Sequence, residues 1–163
     1  MTAPTMLGTV SRSRAAVHLE RTMPAGIDTV WAAWTDPARM GRWLAPVPSG
    51  VPGPGAVFVL QMDPEEAATC TVTRWEPPRL VELTWDHPGD GSSRLRVELS
   101  TVDGGTRLVL DHDRLAGTDP VNYGAGWHVE LEFLHAYLTG TAKPDFDERF
   151  AELQPSYRAA ATD

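Results

Sequence analysis

The chain has a single cysteine, Cys70, and a single lysine, Lys143, among its 163 residues. The lone thiol excludes an internal disulfide framework and fits a reducing compartment. No apolar run approaches the roughly 20 residues that a bilayer-spanning helix needs. The opening segment lacks the apolar core of a secretory signal, so residues 1–13 read as a short, polar, flexible arm and the cytoplasm is the expected location. Basic residues are not clustered: the thirteen arginines and the lysine are scattered along a chain of net charge −8. Without a positive stripe nothing grips phosphates, which argues against nucleic acid and an anionic membrane surface as partners. Internal repeats and low-complexity tracts are absent too. The length suits one domain whose core is large enough to leave room for a cavity.

Tryptophan, by contrast, is plentiful, and Trp31, Trp34 and Trp43 crowd one short stretch. At about 100° per residue, Ile27, Val30, Trp31 and Trp34 share one apolar arc, which predicts a helix starting at Pro24. Asp36-Pro37 stops it and caps a shorter helix carrying Met40, Trp43 and Leu44. Upstream, Arg14 to Arg21 alternates, with Ala15, Val17 and Leu19 on one side, as a half-buried strand does. Pro46 to Gly55 is a loop; its glycines make no phosphate cradle, because no Lys-Ser/Thr follows and the next element is a strand. From Ala56 to Asp113 the pattern predicts five strands: Val57 to Met62, Thr69 to Trp75, Arg79 to Trp85, Ser93 to Val102 and Thr106 to Asp113. The turn chemistry between them is short, as in an antiparallel meander.

Asp119-Pro120 opens the last long helix, Asn122 to Leu138, whose apolar arc is Trp127, Leu131, Leu134 and Leu138. Gly124 and Gly126 are expected to weaken or kink its first turns. Lys143-Pro144 then breaks the chain. The tail, 141–163, carries a short helix from Asp145 to Ala160 that docks by Phe146, Phe150 and Leu153. An antiparallel sheet with one apolar face buries itself and a single amphipathic helix together by wrapping around that helix. The expected class is therefore α+β: a curved six-stranded antiparallel sheet around a long C-terminal helix, with two short helices between strands 1 and 2. Space should remain between helix and sheet near the loop end.

Several motifs, in order, resemble one family. Glu20-Arg21, Pro24 with Val30-Trp31, Trp34-Thr35-Asp36-Pro37, Trp43, Pro77-Pro78-Arg79-Leu80, Thr84-Trp85, Thr106 with His112, and Gly126-Trp127 are similar to the SRPBCC (START-like, helix-grip) superfamily. The nearest likeness is to its bacterial branch named after the C-terminal domain of the activator of the heat-shock chaperone ATPase. The match spans about Arg14 to Gly140, so 14–140 is the expected domain. The resemblance implies a cavity between curved sheet and C-terminal helix, suited to an apolar small molecule. It carries no shared catalytic residue set.

Within that frame a few side chains carry chemistry. His112 alternates with Leu108 and Leu110 and so points inward, where a neutral imidazole can bond a ligand carbonyl or act as a base; the alternative is a histidine tied to neighbouring backbone. Glu130 falls inside the apolar arc of the long helix. It is either a cavity acid with a raised pKa or a carboxylate reaching a strand arginine or solvent. Trp85 and Trp127 are placed to touch both core and cavity, beside Leu131 and Leu134. His128, Glu132 and His135 share a helix flank at spacing compatible with a divalent metal, but no fourth ligand is evident and a solvated face is the expectation. Cys70 reads as an inert buried thiol.

The expected function is binding of a small, largely hydrophobic molecule by Trp85, His112, Trp127, Glu130, Leu131 and Leu134, with no cofactor and no metal. Two alternatives stand beside it: a cyclase- or hydratase-like enzyme using Glu130 or His112 as general acid/base, and a co-chaperone-like interaction module. The tail helix and an uncovered sheet edge leave room for a homodimer.

Overall fold

Capping residues and side-chain alternation set the element boundaries. A computed structural model describes residues 6–163, so the first five residues of the N-terminal arm lie outside the described residues. The elements run β1 (Thr9–Ser11), β2 (Ala16–Met23), α1 (Ile27–Thr35), α2 (Pro37–Trp43), β3 (Val57–Gln61), β4 (Ala67–Glu76) and β5 (Leu80–His87). They continue through β6 (Gly91–Val102), β7 (Gly105–Asp113), α3 (Pro120–Thr139) and α4 (Phe146–Ala160). One antiparallel sheet has the order β1-β2-β7-β6-β5-β4-β3. Pairing of β2 with β7 sets Leu19 opposite Leu110 and joins strands far apart in sequence.

Both predicted caps are present. The Asp36 carboxylate accepts the Ala38 N–H at 3.1 Å with Pro37 in the first turn of α2. Asp119 accepts the Val121 N–H at 3.0 Å at the start of α3. Helix α3 ends at Gly140, whose φ of +67° is a left-handed conformation that a Cβ would strain. Helix α1 starts at Ile27 rather than Pro24, because β2 runs on to Met23 opposite Thr106. The Thr106 hydroxyl also donates to the Ala25 carbonyl at 2.7 Å, which holds the connection out of the helix.

The sheet has seven strands, not six. The extra one, β1, lies in the segment read as an arm. Three residues are too few for alternation to be legible, and the strand is secured from far away. Val10 pairs with Val17, and the Thr162 N–H donates to the Val10 carbonyl at 2.9 Å.

The apolar sheet face and α3 bury Leu19, Leu99, Leu108, Leu110 and Leu134 completely; each such side chain contributes about 1.5–3 kcal/mol. The opposite sheet face is charged, with ion pairs such as Arg94–Asp113 and Arg96–Glu98. Among the described residues no helix is long and apolar enough to cross a membrane.

The tail helix changes the environment of α3. Its Tyr157 is buried, donates to His128 Nδ1 at 2.7 Å and accepts the Gly8 N–H at 2.8 Å. Arg149 holds Glu132 through two bonds of 2.9 Å. The flank of His128 and Glu132 is therefore covered rather than solvated, while His135 remains exposed. Gly124 permits this closure: a Cβ there would lie 2.7 Å from Val10 Cγ2 and 3.2 Å from Tyr157 Cδ1. Neither glycine interrupts α3, which is continuous through both.

Candidate functional site

At the end of the sheet where β3 turns into β4 and β5 into β6, the first half of α3 stands off the strands. A cavity of about 340 Å³ occupies the gap. Trp85 comes from β5, where it faces inward opposite Cys70 and Ser93. Trp127 comes from α3 and meets Trp85 edge to face, with ring centroids 5.7 Å apart. Met62, Phe146 and Phe150 complete the apolar wall, the two phenylalanines stacking at 5.9 Å. Gly126 lines the same space, and a Cβ on it would meet nothing within 4 Å. The predicted tail contacts Phe146 and Phe150 thus wall the cavity, while Leu153 and Tyr157 do the docking.

Glu130 is the polar group inside. It is 9% exposed, and its Oε2 has no hydrogen-bond partner in the protein. Burial pushes its carboxyl up to about 8, against a weaker opposing pull from the Lys143 ammonium. The group is therefore largely protonated at neutral pH. It can donate a hydrogen bond to a guest or surrender a proton to a base.

A second polar cluster sits at the rim. His87 lies between two carboxylates, with Nε2 3.2 Å from Glu66 and Nδ1 3.1 Å from Asp90. The Tyr123 hydroxyl donates to Asp90 at 2.8 Å. Burial and the Asp90 carboxylate raise the phenol well above its ordinary value, so it stays a donor. Sequence reasoning missed this cluster. Asp90 lies in the turn between β5 and β6, and Glu66 and Tyr123 are brought to it by separate elements; the His87/Asp90 spacing across the turn was the one available signal.

Of the six residues expected to bind a ligand, Trp85, Trp127 and Glu130 line the cavity. His112, Leu131 and Leu134 do not; the two leucines are fully enclosed in the core. His112 belongs to a buried relay. The Trp127 indole donates to its Nδ1 at 2.9 Å, its Nε2–H donates to Ser93 Oγ at 2.7 Å, and that hydroxyl donates to the Trp85 carbonyl at 3.2 Å. This pattern requires the neutral ring, and burial depresses its pKa to about 3. His112 therefore holds the Trp127 indole by a hydrogen bond and packs edge to face on Trp85 at 5.7 Å, its own bonds going to side chains rather than to the backbone group expected as the alternative.

Cys70 is fully buried, and burial pushes its thiol up to about 12. Among the described residues, no three metal-ligating side chains converge: His128 serves Tyr157 and Glu132 serves Arg149.

Comparison with known proteins supplies the lineage. The family described as activator of Hsp90 ATPase homolog 1-like protein matches residues 24–139. CalU16 from Micromonospora echinospora is 30% identical with a TM-score of 0.77, over 89% of this chain and 87% of its own. The protein encoded by BPP1335 of Bordetella parapertussis is 31% identical with a TM-score of 0.72, over 100% of this chain and 97% of its own. DynU16, of the dynemicin biosynthetic locus, shares the fold at 24% identity and a TM-score of 0.72, over 81% of this chain and 50% of its own. No curated protein matches the chain.

Proposed function

Because the chain belongs to the activator of Hsp90 ATPase homolog 1-like protein family, we propose that it acts as a helix-grip binding domain for a small, largely apolar molecule. One observation carries this reading: a cavity of about 340 Å³, walled by aromatic rings, that holds a buried carboxyl oxygen with no partner in the protein. Ligand sites are commonly of this size and make-up, mostly apolar with a few placed polar groups. Affinity would come from burying guest surface at roughly 25 cal/mol per Å². Glu130 would supply orientation, and the relay through His112 would hold Trp85 and Trp127 in place.

The test uses the full chain and N-phenyl-1-naphthylamine, a fluorophore that brightens in apolar sites. Wild type should bind it at one site, and Gly126→Leu, which puts a side chain into the cavity, should abolish the signal. Equal brightening by both proteins, or none by either, would sink the reading. Native mass spectrometry of freshly purified protein adds a direct search for a retained guest.

A second reading, an acid/base enzyme, is favoured by one observation: burial in the cavity wall pushes the carboxyl of Glu130 up to about 8, close to what a general acid needs. His112 has no part in it, since both ring nitrogens are already bonded. Turnover lost in Glu130→Gln with guest binding retained would select this reading over simple binding. A co-chaperone-like role would need an exposed apolar patch on the outer sheet face, and the charges there, paired as in Arg94–Asp113 and Arg96–Glu98, tell against it.

A further inference from the structure

The composition of the cavity wall narrows the guest, given that the cavity is a binding site. Three carboxyl groups line it, Glu66, Asp90 and Glu130, alongside the rings of Trp85, Tyr123 and Trp127. Among the described residues lining it, the one basic side chain is His87, and that ring is already matched by Glu66 at 3.2 Å and Asp90 at 3.1 Å. Glu130 is nine-tenths buried and lines the space with an oxygen that accepts nothing from the protein. Lys143 acts on it only through space, its ammonium sitting 5.0 Å above the Phe133 ring.

We propose that the cavity takes a ligand with an apolar body and one protonated amine, the ammonium pairing with Glu130 and lying against the aromatic rings. An anionic guest would meet three acids and no uncommitted cation. A neutral carbonyl compound could accept the Glu130 proton but would gain nothing from the negative field of the three acids. An ammonium uses both the unpartnered carboxyl and the rings. Its N–H groups reach carboxylate oxygens, its charge is favoured over indole and phenol faces, and the field of a chain of net charge −8 draws it to the mouth. On binding, Glu130 gives its proton to solvent and the guest keeps its own, so charge is balanced inside the site.

Three probes with the same naphthalene body separate this inference from the binding reading on which it rests: 1-naphthylmethylamine, 1-naphthylmethanol and 1-naphthoate. Their dissociation constants are measured by calorimetry at neutral pH and low salt. Wild type should bind the amine at least about tenfold tighter than the alcohol, with naphthoate weakest, since one well-placed charge pair exceeds that factor in a desolvated site. Glu130→Gln should cut the amine preference to under about threefold, and a cooperative urea transition shows that the variant folds. Calorimetry in buffers of different ionisation enthalpy should show proton release with the amine and none with the alcohol. An alcohol that binds wild type as tightly as the amine overturns the inference and leaves the binding reading standing. An amine preference that persists in Glu130→Gln overturns the assignment of Glu130. Binding of none of the three overturns both readings.

Discussion

Glu130→Gln keeps the shape of the side chain and removes its ionisation, so it isolates the cost of a buried acid. In the folded protein the carboxyl holds its proton up to about 8, against an ordinary value of 4.5 when exposed. Between those values the unfolded chain has released the proton and the folded chain has kept it. The unfolded state then binds fewer protons, and wild-type stability falls as pH rises. The contribution is fully present below 4.5 and is lost as pH climbs through about 8. At roughly 1.4 kcal/mol per pH unit, the loss by pH 7 is on the order of 3 kcal/mol. The glutamine variant escapes it. Because Oε2 has no partner to lose, the variant should match wild type to within about 1 kcal/mol at pH 4.5 and exceed it by about 3 kcal/mol at pH 7. Urea denaturation followed by tryptophan fluorescence at several pH values reads this difference directly. A gap between the two proteins that does not change with pH would refute the reasoning, as would a variant less stable than wild type at pH 8.5.

Three further outcomes are expected. The two glycines of α3 should respond in opposite ways. A Cβ at position 126 meets open space, so Gly126→Ala should raise thermal stability by up to about 1 kcal/mol, whereas Gly124→Ala drives a methyl into Val10 and Tyr157 and should cost about 1–3 kcal/mol. Thermal melts of both variants decide it, and a common sign would be wrong for this packing. His112 titrates with the sign opposite to Glu130: burial lowers its pKa from 6.5 to about 3, so the stability it contributes is present above 6.5 and lost as pH falls towards 3. That loss is on the order of 3 kcal/mol by pH 4. His112→Leu should flatten this acid limb while costing about 2–4 kcal/mol at pH 7, because the Trp127 N–H loses its acceptor and the Ser93 hydroxyl oxygen loses its donor; an acid limb as steep as that of wild type would contradict the relay. Cys70, fully buried with its thiol raised to about 12, should resist an aromatic disulfide reagent in native buffer and react once in guanidinium. Fast native labelling would mean that the β4–β5 region opens.

The opened gap between α3 and the sheet and the unpaired state of Glu130 are properties of different origin from the elements that carry them. The meander, the two capped helices and the long last helix were legible because each is encoded within a few neighbouring residues: alternation in Leu95, Val97 and Leu99, Asp-Pro at the helix starts, a leucine arc at helical spacing. Strand β1 escaped because three residues hold no period and because, besides β2, it is secured by Thr162, at the other end of the chain. The fate of the α3 flank escaped for a related reason. His128 and Glu132 look solvated until α4 brings Tyr157 and Arg149 onto them.

Sequence alone determined the class of the fold, the inward direction of Trp85, His112 and Trp127, and the placement of an acid within an apolar arc. These follow from side-chain periodicity, which chain geometry imposes locally. Tertiary structure alone decided that His112 serves the tryptophans and not a guest, that Glu66, His87, Asp90 and Tyr123 meet at one rim, and that the space before Glu130 stays unfilled. Whether a volume is filled depends on the sum of side chains arriving from β3, β5, α3 and α4 together, and no single stretch of the chain contains that sum.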